Sequence, residues 1–112
     1  MVQLIWTELA LQDIDDIFRF NCTLSIKKAI AYSEEFIKAG DRLMLMPEMG
    51  PQEPLLKQYD RNYRYVIVQR RYKLIYLFEN QICSILMVWD CRRNPKQLEG
   101  SERFESSPDS ED

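Results

Sequence analysis

The chain has no histidine. That removes Ser-His and Cys-His nucleophiles, every His-based zinc site, and the commonest general base near neutral pH. Cysteine is scarce as well. Cys22, Cys83 and Cys91 form no CxxC pair, and their odd number argues against a disulfide framework. No stretch approaches the roughly 18 uninterrupted apolar residues of a membrane span, and MVQLIWTELA lacks a basic leader and an apolar run. These absences predict a cytoplasmic protein with no membrane association. What remains is globular in composition: 112 residues, 46% hydrophobic, 29% charged and 12% aromatic, suited to a single two-layer core.

The formal charge of −3 conceals a polarity along the chain. Residues 1–56 hold nine acids and five bases, residues 57–98 nine bases and three acids, and residues 99–112 six acids and one arginine. A −4 half, a +6 segment and a −5 tail therefore follow one another. A partner senses such local patches, because screening limits the reach of a charge to about 10 Å. The tail, EGSERFESSPDSED, has Phe104 as its one large apolar residue and is expected to be disordered. The expected division is a domain over 1–98 and an acidic tail over 99–112.

Residues 2–5 read as a strand. Thr7 is a candidate N-cap, and Ala10, Ile14, Ile17 and Phe18 follow at helical spacing opposite Gln12, Asp13, Asp16 and Arg19, which predicts a helix over 7–21. Thr23 or Ser25 opens a second helix, with Ile26, Ala29, Ile30, Ser33, Ile37, Gly40 and Met44 as its apolar stripe. PEMGPQEP at 47–54 enforces a break. Alternation from Tyr63 to Arg70, a run from Tyr72 to Phe78, a turn at Glu79 to Gln81 and an apolar run from Ile82 to Trp89 predict three strands. The expected fold is α+β in the order β-α-α-β-β-β, a helical hairpin packed on one face of a small antiparallel sheet. Ile82 to Trp89 is apolar on both faces. Some of Tyr65, Ile67, Leu74, Tyr76, Ile85 and Met87 are therefore expected to be left for another chain.

Between Lys57 and Tyr76, the cations Lys57, Arg61, Arg64, Arg70, Arg71 and Lys73 interleave with five of the six tyrosines. Cations neutralise phosphates and aromatic faces stack on unpaired bases, so the mixture suits single-stranded RNA. It also suits plain strands whose exposed edges are kept soluble by charge. A tight hairpin near Arg70 and Arg71 would bring Arg64, Arg70 and Lys73 to one surface, joined by Arg92 or Arg93. Glu48 and Glu53 are the nearby carboxylates that could act as general bases. Asp13, Asp15 and Asp16 read as a solvated helix face rather than a metal site. Cys83 and Cys91 read as buried or incidental thiols, and Met44, Met46 and Met49 as core and loop filler. No metal or cofactor is expected.

Several loose motifs occur together in a defined order: Trp6-Thr7, Ala10, Asp13 and Ile17 on the first helix, Leu45-x-Pro47-x-x-Gly50 after the second, Tyr72-Lys-Leu-Ile-Tyr76 in a strand, and Trp89-Asp-x-Arg92-Arg-x-Pro95 at the end. In that order the chain resembles the RelE/ParE superfamily of toxins from bacterial type II toxin–antitoxin modules, over roughly residues 2–98. The resemblance implies the fold above, growth inhibition, plasmid stabilization and a cognate antitoxin protein as partner. It implies one of two targets. RelE-like members enter the ribosomal A site and cleave mRNA without a metal, the substrate's own 2′-hydroxyl attacking the adjacent phosphate. ParE-like members poison DNA gyrase and need no catalytic set. Carried over by position, Arg64, Lys73 and Arg92 (or Arg93, under a different gap) are cations for the phosphorane charge, with Glu48 as a substitute base. Lys57, Arg61, Arg70, Arg71 and Tyr63 are then RNA contacts. Val66 stands where RelE-like enzymes carry a second lysine, and Leu98 about where they place a C-terminal tyrosine. The basic tyrosine-rich segment favours ribosome-dependent mRNA cleavage, which is the expected activity. The missing histidine and tyrosine, and the +2 charge of residues 1–98, favour gyrase inhibition or a degenerate antitoxin-binding member.

Overall fold

The structure is a computed structural model and describes residues 1–104. Its elements are β1 (Gln3–Trp6), α1 (Glu8–Cys22), α2 (Ile26–Leu45), β2 (Arg64–Val68), β3 (Tyr72–Glu79), β4 (Ile82–Asp90) and a short α3 (Pro95–Glu99). The expected β-α-α-β-β-β order holds. Caps set the starts of α1 and α2: Thr7 Oγ1 accepts the Ala10 N–H at 3.3 Å, and Ser25 Oγ accepts the Lys28 N–H at 3.2 Å. The proline-rich break contains one 3-10 turn, Pro54–Leu56, capped by the Glu53 carboxylate. No helix among the described residues is long and apolar enough to cross a membrane.

The sheet has the strand order β1-β4-β3-β2. It is mixed, not antiparallel, because β1 runs parallel to β4. The chain crosses from β1 through the helical hairpin to the opposite edge, then returns by two β-hairpins, which leaves β4 beside β1 and pointing the same way. Leu86 forms a bulge in β4, lying between the pairs Ile75–Met87 and Tyr76–Ile85.

Two cores result, one on each sheet face. On the first, α2 presents Ala29, Phe36, Ala39 and Leu43, all buried. Gly40 permits the close approach of α2 to β1, since a Cβ there would lie 2.6 Å from Trp6 Cζ2. The expected apolar stripe of α2 splits along this line. Small residues take the sheet contact, and Ile26, Ile30, Ile37 and Met44 are left between 39% and 65% exposed. Met46 and Met49 are exposed too and fill no core.

The chain itself closes the second face. Leu56, Tyr63, Leu98 and Phe104 pack over Ile75, Leu77, Met87 and Trp89. Of the residues expected to await another chain, Leu74, Tyr76, Ile85 and Met87 are buried, and Ile67 stays exposed. The packed chain also runs past the expected boundary at Leu98. Phe104 lies 5.1 Å from the Tyr63 ring and 6.2 Å from the Tyr59 ring, and the Tyr59 hydroxyl donates to the Glu99 carbonyl at 2.9 Å. One aromatic side chain with a ready apolar seat offsets the polarity around it. The remainder of the expected tail, 105–112, lies outside the described residues.

Asp13 is no solvated residue. β1 covers β4 only as far as Ile85, so the next part of that β4 edge has no strand partner among the described residues. Asp13 Oδ2 accepts the Val88 N–H there at 2.9 Å, and Arg103 Nη1 donates to the Leu86 carbonyl at 3.1 Å. The two side chains also pair with each other at 2.5 and 2.7 Å. Side chains from residues 90 positions apart thus satisfy a bare strand edge.

Candidate functional site

The β2–β3 hairpin decides which cations can act together. Gln69 and Arg70 adopt left-handed backbone (φ 54° and 57°), and the Arg71 N–H closes the turn onto the Val68 carbonyl at 3.2 Å. Three residues separate the last paired positions, Val68 and Tyr72, so even-numbered residues pair with even and odd with odd. Arg64 therefore pairs with Tyr76 on the helix-covered face, and Lys73 with Ile67 on the other. The expected common surface of Arg64, Arg70 and Lys73 does not form.

Both of those strand cations are engaged internally. Arg64 Nη1 donates to the carbonyls of Glu48 and Gly50 at 3.2 and 2.7 Å, clamping the loop after α2. In that loop the Gly50 N–H donates to the buried Tyr76 hydroxyl at 3.0 Å, and burial pushes the Tyr76 phenol above its ordinary range. A Cβ on Gly50 would lie 2.3 Å from the Tyr65 carbonyl oxygen, so the clamp requires glycine. Glu48 is largely exposed and touches Arg64 only at 3.8 Å. Lys73 Nζ lies 2.6 Å from Glu53 Oε1 and 4.5 Å above the Tyr65 ring. Glu53 is fully buried, and its other oxygen accepts the Leu55 N–H at 3.0 Å. A carboxylate so enclosed and paired is a structural counter-ion, not a free base.

The cations after β4 are arranged differently. Arg92 grips Asp90 through Nε and Nη2 at 3.1 and 2.9 Å, and Arg71 approaches the same carboxylate at 3.6 Å. The Arg92 hydrogen bond holds the Asp90 carboxyl below its ordinary range. Arg93 lies over the Trp89 ring at 4.3 Å. Arg71, Arg92 and Arg93 line a cleft of about 300 Å³ beside α1, with Phe20, Asp13 and Asp90 among its other walls.

The remaining predicted RNA contacts scatter. Tyr63 is buried in the second core and offers no face for a base. Arg61 pairs with Glu79 at 2.7 Å, whereas Lys57 and Arg70 are exposed. Cys83 is buried, which pushes its thiol up to about 11, and Cys91 is also raised by burial. No cluster of three or more Cys, Asp or Glu suited to a metal ion occurs among the described residues. Sequence reasoning missed Asp90 and Arg103. Asp90 had a signal in its place two residues before Arg92; Arg103 had none.

The structure matches a chain titled "Chromosomal ParDE TA system from P. aeruginosa" with a TM-score of 0.68 and 20% identity, covering 80% of this chain and 96% of that one. No curated protein sequence matches the chain. Residues 4–95 match the family described as ParE toxin of type II toxin–antitoxin system, parDE. The chain belongs to that family, and with it to a toxin module whose other component is an antitoxin.

Proposed function

We propose that this ParE-family toxin arrests growth by binding DNA gyrase, without cutting RNA. The observation that carries the reading is the use made of the cations. Arg64 and Lys73 sit on opposite sheet faces, each engaged by internal acceptors, and the face that bears Lys73 is packed over by Leu98 and Phe104. Phosphoryl chemistry needs preorganised donors converging on one phosphate with a base and an acid beside it. A stoichiometric inhibitor needs only a surface. The antitoxin, in the same reading, covers Ile26, Ile30, Ile37 and Met44, which lie exposed along one face of α2.

The test pairs two assays on the purified protein. Supercoiling by DNA gyrase should fall in proportion to added toxin and recover with antitoxin. Single-turnover incubation with programmed ribosomes should leave the mRNA whole. Cleavage in the A site with unchanged supercoiling would overturn the reading in favour of an mRNA endonuclease.

A further inference from the structure

We propose that the outer edge of β2 at Ile67, with the groove between it and the C-terminal half of α2, takes an extended, acid-bearing segment of the antitoxin as an added strand. In an antiparallel ladder alternate residues bond to the neighbouring strand. Arg64, Val66 and Val68 face β3 in this way, since the Arg71 N–H closes the turn onto the Val68 carbonyl, and Tyr65 and Ile67 face the open edge. The chain covers the first part of that edge itself. Gln52 bridges Arg64, the Glu53 N–H donates to the Tyr63 carbonyl at 2.8 Å, and the Tyr65 N–H donates to the Pro51 carbonyl at 3.1 Å. The cover stops there. The backbone N–H and C=O of Ile67 meet no partner across the edge among the described residues, and its side chain stays exposed.

The chemistry of the edge selects the occupant. A free N–H and C=O on one edge residue match the C=O and N–H of an extended chain, which is how peptides join sheets. The groove beside them holds about 370 Å³ and is walled by Ala39 and Arg42 of α2, by Met49 and Gly50 of the loop, and by β2. Met49 and Ile67, each a little under half exposed, flank it with apolar surface. Arg42 alone among the described residues that line it is charged, and it makes no ion pair among the described residues. A carboxylate on the added strand meets that guanidinium. The seat is preformed, because Arg64 clamps the carbonyls of Glu48 and Gly50 and the Gly50 N–H is bound to Tyr76, so little of the toxin has to order on binding. The antitoxin is the source because it is the other component of the module, and the α2 residues assigned to it lie on the helix that also walls the groove. The inference rests on the antitoxin contact proposed above and is independent of the gyrase reading.

The test is amide hydrogen exchange on the full-length toxin, free and co-purified with the antitoxin expressed from the adjoining reading frame. In the free toxin the Ile67 N–H should exchange quickly while those of Val66 and Val68 are protected; in the complex the Ile67 N–H should slow by at least about tenfold. Arg42→Glu should weaken antitoxin binding about three- to tenfold, with the loss shrinking as salt rises from about 0.05 to 0.5 M. Ile67→Pro removes the outward N–H and no bond to β3, and should weaken binding by a similar factor. If that variant does not fold, the exchange measurement decides alone. An Ile67 amide that exchanges equally fast in free toxin and complex would overturn the proposal, as would undiminished binding by Arg42→Glu. Ile30→Ser separates the two contacts: loss of antitoxin by that variant, with Ile67 unprotected in the wild-type complex, would leave the α2 contact and remove the added strand. Protection of Ile67 by DNA gyrase and not by the antitoxin would overturn it too.

Discussion

Replacing Lys73 by methionine separates a catalytic lysine from a structural one. The side chain keeps its length and loses its charge. Glu53, fully buried, then has no cation at 2.6 Å and, among the described residues, only the Leu55 N–H as a hydrogen-bonding partner for its carboxylate. At an effective dielectric of about 20 the Coulomb attraction of such a pair is about 6 kcal/mol, most of it offset by desolvation. Removing one member does not recover that desolvation, which is why breaking buried pairs costs roughly 3–5 kcal/mol. Lys73 retains 20% of its side-chain exposure, so water relaxes part of the loss and about 3 kcal/mol is expected. In a domain of this size that lowers Tm by roughly 10–20 °C. Thermal and urea unfolding of Lys73→Met, Glu53→Gln and the double variant form a cycle. The double variant should regain about half the loss, because no charge remains buried. A Lys73→Met variant as stable as wild type, or strictly additive losses, would refute the structural role and return Lys73 to the candidates for chemistry.

Asp13→Ala should cost about 2–4 kcal/mol in urea unfolding, since it strands both the Val88 N–H and the Arg103 guanidinium; a loss below about 0.5 kcal/mol would show that water replaces the carboxylate. Gln81 has φ 64° in the turn between β3 and β4, and Gln81→Gly, which creates an Asn-Gly pair, should stabilise the chain by about 0.5–1 kcal/mol. The Asp90 carboxyl ionises more readily in the folded chain, so its stabilising contribution is complete above the ordinary carboxylate range and disappears as pH falls through and below it. Unfolding curves for wild type and Asp90→Asn should therefore converge on acidification; a gap that widens instead would contradict the sign.

Local signals carried the element order. Thr7 and Ser25 announce their helices because a hydroxyl at an N-cap acts on a backbone N–H three residues away, and the prolines at 47, 51 and 54 exclude helix by their own geometry. The site was harder to read because its arrangement depends on parity and on distant partners. A hairpin one residue shorter would have put Arg64 and Lys73 on one face, and nothing in Gln69-Arg70-Arg71 states its length. Glu53 looks solvated in a polar loop until Lys73 arrives from a strand 20 residues on. Asp13 looks like the wet side of a helix until Arg103 is placed against it. Phe104, alone among acids and serines, gives no periodicity to detect.

The mixed sheet has a bearing on synthesis. Thr7 bonds to Ile85, Asp13 to Val88 and to Arg103, contacts that span 78, 75 and 90 residues. A nascent chain that has emerged only through α2 has no strand for β1 to join and no backbone group for Asp13 to receive. Its helical hairpin lacks the sheet on which Phe36 and Leu43 pack. Such long-range pairing is slow because chain closure precedes any compensating contact. The sheet therefore closes only after β4 has been made, because β4 is the strand that joins β1 to β3 and β2.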